Sequence, residues 1–322
     1  MPRLRRGRRD SRSDVLIPLV AIGVVAAAVV ARHLSARGAE RAASRGRRYG
    51  VDGVLEGAEP IALDGDGTRA VLVLHGFGDT PQTVRYLCEH LHSSGWTVRA
   101  PLLPGHGRTL REFAASGADA WIEHARRALR ELQHEFGPVP VIGLSMGGAI
   151  ASVLAADEAG IPALALIAPY VSMPTWLRRV SRVHHALGAA VVYLRGRGER
   201  SIHDPAESAQ NLAYGFTTPR LVAELHAVVQ RARRALPRLR VPTLVVQSRE
   251  DNRIPPDAAA RAFATIGAPV REIEWLDGCG HVVTVDYGRE RVFERVSDWI
   301  ERYGTPPNES LVRRDASVST NR

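Results

Sequence analysis

The sequence predicts an α/β fold, a mostly parallel sheet with helices on both faces. Three observations carry that expectation. Apolar runs of strand length alternate with stretches of helical periodicity over most of the 322 residues. One of those runs passes without a break into Gly143-Leu144-Ser145-Met146-Gly147 and then into a helical stretch. The composition, 45% hydrophobic and 24% charged, is that of a chain that folds around a core, which excludes disorder over most of the length.

The expected strands are 70–74, 97–100, 139–142, 163–167, 243–246 and 272–275. Asp79-Thr80-Pro81 reads as a cap followed by proline at the first helical position, leading into a helix over 82–91. Trp121, Ile122, Ala125, Leu129 and Leu132 recur at helical spacing within 118–136. From Pro169 to about Arg240 the alternation stops, with only 191–193 strand-like. That stretch reads as two or three helices, with Trp176, Val180, Val183, Leu187, Val191 and Leu194 in one apolar stripe. A helical insertion between two sheet strands is expected to act as a lid, assigned to 170–239.

The ends differ from the body. Residues 15–31 form an unbroken apolar or small-residue run between Arg12 and Arg32. As a helix it would be about 25 Å long, short for a bilayer core of about 30 Å, a gap that snorkelling arginines close. A retained single-span anchor is the preferred reading; a cleaved secretory signal or a buried helix are the alternatives. Six arginines on either side leave the orientation open. Residues 32–48 read as a basic linker, either lying on anionic headgroups or serving as a solvated spacer. The anchor and linker make up an arm, 1–48; the main domain is 49–303, and 304–322 reads as a disordered polar tail.

The net charge of +9 suggests a nucleic-acid binder until the charge is located. Residues 1–48 hold 12 Arg and three acids, whereas the remainder holds 31 Arg and 31 acids. The body is therefore neutral and no nucleic-acid partner is expected. Two cysteines, Cys88 and Cys279, exclude a disulfide scaffold, and pairing them would require a helix and a distant loop to meet. No Cys/His cluster has zinc-ligand spacing, and neither metal nor cofactor is expected.

Gly143-Leu144-Ser145-Met146-Gly147 is a weak signal alone. Between a strand and a helix it is stronger, because a serine on that sharp turn adopts strained angles and flanking side chains would collide. The turn also sets the serine at the positive end of the following helix. A serine hydroxyl needs a base, and the base an orienting group. In this architecture the acid follows the nucleophile and the histidine follows the acid. Of 12 histidines only His281 lies beyond the run 243–246, and the loop after that run supplies Asp251, with Glu250 as rival. Asp257 reads as a helix-start residue and Asp277 as a turn residue. Ser145, Asp251 and His281 are thus the expected catalytic residues. The backbone N–H groups of Phe77 and Met146 are the expected oxyanion donors, with His75 buttressing the loop that carries Phe77.

His75-Gly76-Phe77-Gly78, Pro101-Leu102-Leu103-Pro104-Gly105-His106-Gly107, the Ser145 turn, Asp251 and Gly280-His281-Val282-Val283-Thr284-Val285-Asp286 together resemble an α/β-hydrolase. The similarity is to bacterial carboxylesterases and monoacylglycerol lipases, over about residues 70–302. The resemblance implies a lid between the sixth and seventh sheet strands and a cofactor-free serine hydrolase of carboxylic esters working through an acyl-enzyme. The lid stripe, Trp176 and Val180 above all, is the expected acyl pocket, with Phe77 and Met146 closing its other side. With an anchor, lipid-like esters such as monoacylglycerols are the expected substrates. An aminopeptidase, thioesterase or acyltransferase on the same residues is the alternative, the first requiring acids such as Glu199, Asp204 or Glu207 to bind an amine. A non-catalytic binding protein of this fold fits poorly, since such proteins usually lose one of the three residues.

Overall fold

A computed structural model describes residues 11–196 and 201–304, the side chains of 11–25 excepted. In chain order the elements are helix α1 (Ser11–Ser44), strands β1 (Ile61–Leu63) and β2 (Ala70–Leu74), helix α2 (Arg85–Ser93), strand β3 (Thr97–Ala100), helices α3 (Leu110–Ala115) and α4 (Ala118–Phe136), strand β4 (Val141–Leu144), helix α5 (Met146–Asp157) and strand β5 (Leu164–Ile167). There follow helices α6 (Thr175–Arg182) and α7 (His184–Ala190), strand β6 (Leu194–Arg195), helix α8 (Pro205–Gln210), strand β7 (Phe216–Thr217) and helix α9 (Pro219–Ala235). Strand β8 (Thr243–Ser248), helix α10 (Pro256–Ala264), strand β9 (Arg271–Leu276) and helix α11 (Arg289–Tyr303) complete the chain described.

The main sheet has seven strands in the order β1-β3-β2-β4-β5-β8-β9. Only β1 is antiparallel, and the other neighbours pair in parallel. Side chains alternate across it. On β2, Ala70, Leu72 and Leu74 enter one apolar cluster while Val71 and Val73 enter the other. Both faces are therefore covered, as parallel sheets require. Helix α4 shows why the flanking helices form. Its five periodic apolar residues are all buried, and it stops at Gly137, whose φ of 77° a side chain would resist.

The strand expected at 139–142 begins two residues later, because Pro140 has no N–H for the ladder. The helix expected at 82–91 opens as a 3₁₀ turn, Pro81–Val84, and becomes α-helical only from Arg85. Short strand β1 escaped notice because three residues carry too little period. Cys88 and Cys279 are both free and buried.

The insertion runs between the fifth and sixth strands of this sheet, one place earlier than the resemblance implies, since only β1 precedes β2. It is two things. Helix α9 buries Leu221, Leu225, Val228 and Ala232 and packs on α5, so it belongs to the core. Helices α6 to α8 and the β6–β7 ribbon form an outer cover. Glu207 on α8 pins that cover to α2: it is 8% exposed, and its carboxylate meets the Arg85 guanidinium at 2.6 Å and the Tyr86 hydroxyl at 2.8 Å.

The single apolar stripe expected along 176–194 does not survive folding. The helix breaks at Val183, so the spacing of three and four runs across two separate helices and ends in extended chain. Trp176 and Val183 are 49% and 54% exposed, Val180 is half-buried, and Leu177 takes the inward position against the core.

Residues 32–44 continue α1 rather than forming a linker. Arg32 donates to the Gly188 carbonyl at 3.0 Å, Tyr193 donates to the Glu40 carboxylate at 2.9 Å, and beyond the helix Arg47 donates to the Ala213 carbonyl at 2.7 Å. Ala43 is buried in the main core. Among the described residues no helix is long and apolar enough to cross a membrane. The run 15–31 lies within α1, but its side chains up to Val25 fall outside the described residues, as do the arm before Ser11 and the tail beyond Gly304.

Candidate active site

Four sheet strands deliver the site at their C-terminal ends. Strand β4 runs into Ser145, which caps α5 with φ 56° and ψ −116°, a backbone region that costs a non-glycine residue about 1–3 kcal/mol. The turn closes only because its neighbours lack side chains. A Cβ on Gly143 would strike the Gly147 carbonyl, and one on Gly147 would strike the Leu74 carbonyl at the end of β2. The strained residue is held from both sides: its N–H donates to Ile167 at 2.9 Å, and its carbonyl accepts from Tyr170 at 2.9 Å.

The loop after β8 supplies Asp251. Its Oδ1 accepts the N–H groups of Arg253 at 2.7 Å and Ile254 at 2.8 Å, and its Oδ2 accepts Gln247 Nε2 at 2.8 Å and His281 Nδ1 at 2.7 Å. Burial opposes the charge, but the imidazole and the two backbone donors outweigh it and hold the carboxyl below its ordinary range. A carboxylate in this position fixes the His281 tautomer, with the proton on Nδ1. The Nε2 lone pair then faces Ser145 Oγ, 2.8 Å away. Ser145, Asp251 and His281, far apart along the chain, thus form one hydrogen-bonded line, and each is 6–8% exposed. The rival Glu250 points elsewhere and accepts the Gly278 N–H at 2.8 Å. Asp257 sits in the first turn of α10, paired with Arg261, and Asp277 pairs with Arg249.

On β2's side, His75-Gly76-Phe77-Gly78 turns over the serine. The Phe77 ring enters an aromatic cluster with Phe113 at 5.2 Å and Trp121 at 5.8 Å between ring centres, so the side chain anchors the loop while the main chain is left to the cleft. Met146, the first residue of α5, has an N–H with no partner inside the helix. Its side chain is wholly buried. His75 is buried too: its Nδ1–H donates to the Gly76 carbonyl at 2.9 Å, and Nε2 accepts the Leu103 N–H at 3.1 Å. Burial pushes its pKa down to about 4, so it is a neutral brace between two loops.

Two positioning groups were not legible in the sequence. Gln247 steadies Asp251. Asp286, 1% exposed, accepts four backbone N–H groups: Gly280 at 2.7 Å, His203 and Asp204 at 2.8 Å each, and Tyr287 at 2.9 Å. It ties the turn before His281 to the segment of the cover that leads into α8. Asp286 stood inside the quoted histidine segment, but nothing in a linear spacing shows that a carboxylate will gather amides from 80 residues away. Among the described residues no cluster of His, Cys, Asp and Glu could hold a metal ion.

The chain is similar to several known proteins. The sequence profile of the family described as serine aminopeptidase, S33 matches residues 66–287. A thermostable monoacylglycerol lipase of Bacillus sp. (strain H-257) is 29% identical over 250 residues, 78% of this chain and 97% of that protein. A carboxylesterase of Bacillus subtilis (strain 168) is 24% identical over 246 residues, 76% and 96% of the two chains. Among solved structures, one from a study of two metagenome-derived lipolytic enzymes superposes with a TM-score of 0.71 at 32% identity, covering 78% of this chain and all of that one, 100%.

Two outcomes follow from the geometry. Asp286→Ala strands buried amides and frees the turn before His281, so kcat falls about a hundredfold with KM little changed, a split that steady-state kinetics resolves. Acid weakens the fold before it strips Asp251. The unfolded chain takes up protons on His75 near its ordinary 6.5, whereas the folded protein resists until about 4. Stability therefore falls as pH drops through that window, by on the order of 3 kcal/mol for His75 near pH 4. Asp251, held low, gives stability that is present above its ordinary value of 3.8 and is lost only at lower pH still. Urea unfolding at pH 7, 5.5 and 4.5 reads the first effect, and His75→Asn reduces it.

Proposed function

The chain belongs to the serine aminopeptidase S33 family and has the α/β-hydrolase fold of ester-cleaving serine hydrolases, and we propose that it cleaves lipid-like carboxylic esters, monoacylglycerols among them, through Ser145, His281 and Asp251. The observation that carries this reading is the unbroken line Asp251–His281–Ser145, with spacings of 2.7 and 2.8 Å. His281 Nε2 takes the Ser145 proton as Oγ attacks the ester carbonyl, and Asp251 stabilises the imidazolium that forms. The Phe77 and Met146 N–H groups receive the developing oxyanion. His281 then protonates the departing alcohol. Water, deprotonated by the same nitrogen, releases the acid from the acyl-enzyme.

The named relatives, a monoacylglycerol lipase and a carboxylesterase, support esters over peptides. So does the fate of the acids that an aminopeptidase would need. Asp204 caps α8 by accepting the Ala206 N–H at 2.8 Å, and Glu207 is paired with Arg85. Glu199 lies outside the described residues. The outer cover of α6 to α8 acts as the lid: with Ser145 only 8% exposed, it has to shift before an acyl chain enters.

Residues 15–31 serve as the membrane anchor, with cleavage and secretion as the alternative. An α1 that runs unbroken to Ser44 would set the bilayer end of the anchor at Arg32, beside Gly188 of the cover. Lipid esters would then reach the cleft without crossing bulk water.

Against a panel of p-nitrophenyl and glyceryl esters, acyl-thioesters and aminoacyl anilides, esters are turned over best. Ser145→Ala, His281→Ala and Asp251→Asn each lower kcat/KM about ten-thousandfold while the fold persists. A fluorophosphonate labels the wild type and not Ser145→Ala. Undiminished turnover in His281→Ala would overturn the reading. Expressed as the full chain, the protein stays in the membrane pellet through carbonate extraction, whereas a chain starting at residue 32 is released.

A further inference from the structure

One carboxyl group in the cleft is left over by this chemistry. Asp79 follows the loop that carries Phe77, and its N–H closes that turn onto the Gly76 carbonyl at 3.4 Å. The bare face of Gly76 looks at both Asp79 and the nucleophile. A Cβ placed there would lie 3.1 Å from Asp79 Oδ2, 3.3 Å from Ser145 Cβ and 3.7 Å from Ser145 Oγ. The carboxyl and the serine hydroxyl therefore border the same small space. Asn211, on the segment after α8, lies beside the Asp79 carboxyl and helps to hold its pKa down.

Its charge state suits a hydrogen-bond acceptor. Burial raises its pKa to about 6 against the opposing pull of His281, the Asn211 hydrogen bond and Arg253. At neutral pH it is therefore mostly ionised. An anion bordering the reacting centre is unfavourable for an oxyanion forming nearby, unless the substrate itself supplies a donor to it. An acyl chain offers no donor. In an ester, only the alcohol portion can.

We propose that Asp79 is the residue that selects the leaving group, accepting a hydrogen bond from a free hydroxyl on the alcohol portion of the ester. Resting on the ester-hydrolase reading above, it adds to it a preference for polyol esters, such as those of glycerol, over esters of simple alcohols with the same acyl chain. An apolar leaving group leaves the carboxylate unpaired in the cleft; a hydroxylated one satisfies it.

The test is a matched substrate pair, a glyceryl and a methyl ester of one medium-chain acid, assayed on the full-length protein. Wild type favours the glyceryl ester in kcat/KM by about ten- to a hundredfold, the range expected for a hydrogen bond to a charged group. Asp79→Asn, nearly isosteric, and Asp79→Ala collapse that ratio towards one, and Asp79→Glu restores part of it. Fluorophosphonate labelling of Ser145 in each variant shows that the fold and nucleophile persist, which separates loss of selection from loss of structure. A ratio unchanged in Asp79→Asn, or both substrates falling in parallel, overturns the role of Asp79 and leaves ester hydrolysis standing. Asp79-dependent turnover of an aminoacyl anilide overturns the hydroxyl assignment in favour of an ammonium ligand. A wild type inert toward both esters overturns this proposal together with the reading it rests on.

Discussion

The site depends on one tight crossing, where the start of α5 passes over the ends of β2 and β4. Ser145 can stand clear of the sheet only if its backbone takes φ 56°, and it can take that angle only if Gly143 and Gly147 carry no side chain. The cost of this conformation is met by the backbone bonds to Ile167 and Tyr170, which lock the turn to the next strand and to the start of the insertion. The same crossing brings Leu74 against Gly147, so the loop that carries Phe77 cannot drift from the serine. Ser145 and the N–H groups of Phe77 and Met146 are thereby placed by packing between main chains, which is stiffer than packing between side chains.

The outer cover is held differently. Trp176 and Val183 stand exposed on its outer side, while Leu177 and Tyr214 face the core and α6 and α7 lie against α9. Polar contacts tie down its margins: Glu207 to Arg85 and Tyr86, Asp286 to the amides of His203 and Asp204, and the bonds of Arg32, Glu40 and Arg47 near the N-terminal helix. These margins open at lower cost than the packed side against α9, because water replaces each hydrogen bond or ion pair as it breaks. Helix α9, by contrast, is buried along α5 and stays with the sheet.

This division explains what the sequence made legible. Strands buried on both faces leave apolar runs, so all six runs expected as sheet strands fell within two residues of the strands that formed. The Ser145 turn was readable because its glycines are local, and Asp251 and His281 because each directly follows a strand. The stripe across α6 and α7 was misread, since periodicity cannot report a break at Val183 where no proline or glycine stands. The continuation of α1 through 32–44 was misread because a run of Arg, Ala, Ser and Gly has no apolar face, and what steadies that helix is contact with Gly188 and Tyr193 on the cover. Asp286 and Gln247 were passed over, and Asp79 was read only as part of a helix cap, for a related reason: their surroundings are brought together only by the completed fold.

Three aspartates around one imidazole show how the fold separates roles within a single residue type. Asp251 has four donors on its two oxygens and is kept ionised and immobile, which suits a group that must orient His281 without taking its proton. Asp286 also has four donors, but all are backbone amides, so its charge is spent on holding the histidine turn to the cover and none faces the cleft. Asp79 has the fewest. Burial raises its pKa to about 6, and its Oδ2 borders the face of Gly76 that the serine also borders. A carboxylate without its full set of donors, beside a centre where negative charge develops, is unfavourable until something donates to it. In the proposal above, the hydroxylated alcohol portion of the ester supplies that donor.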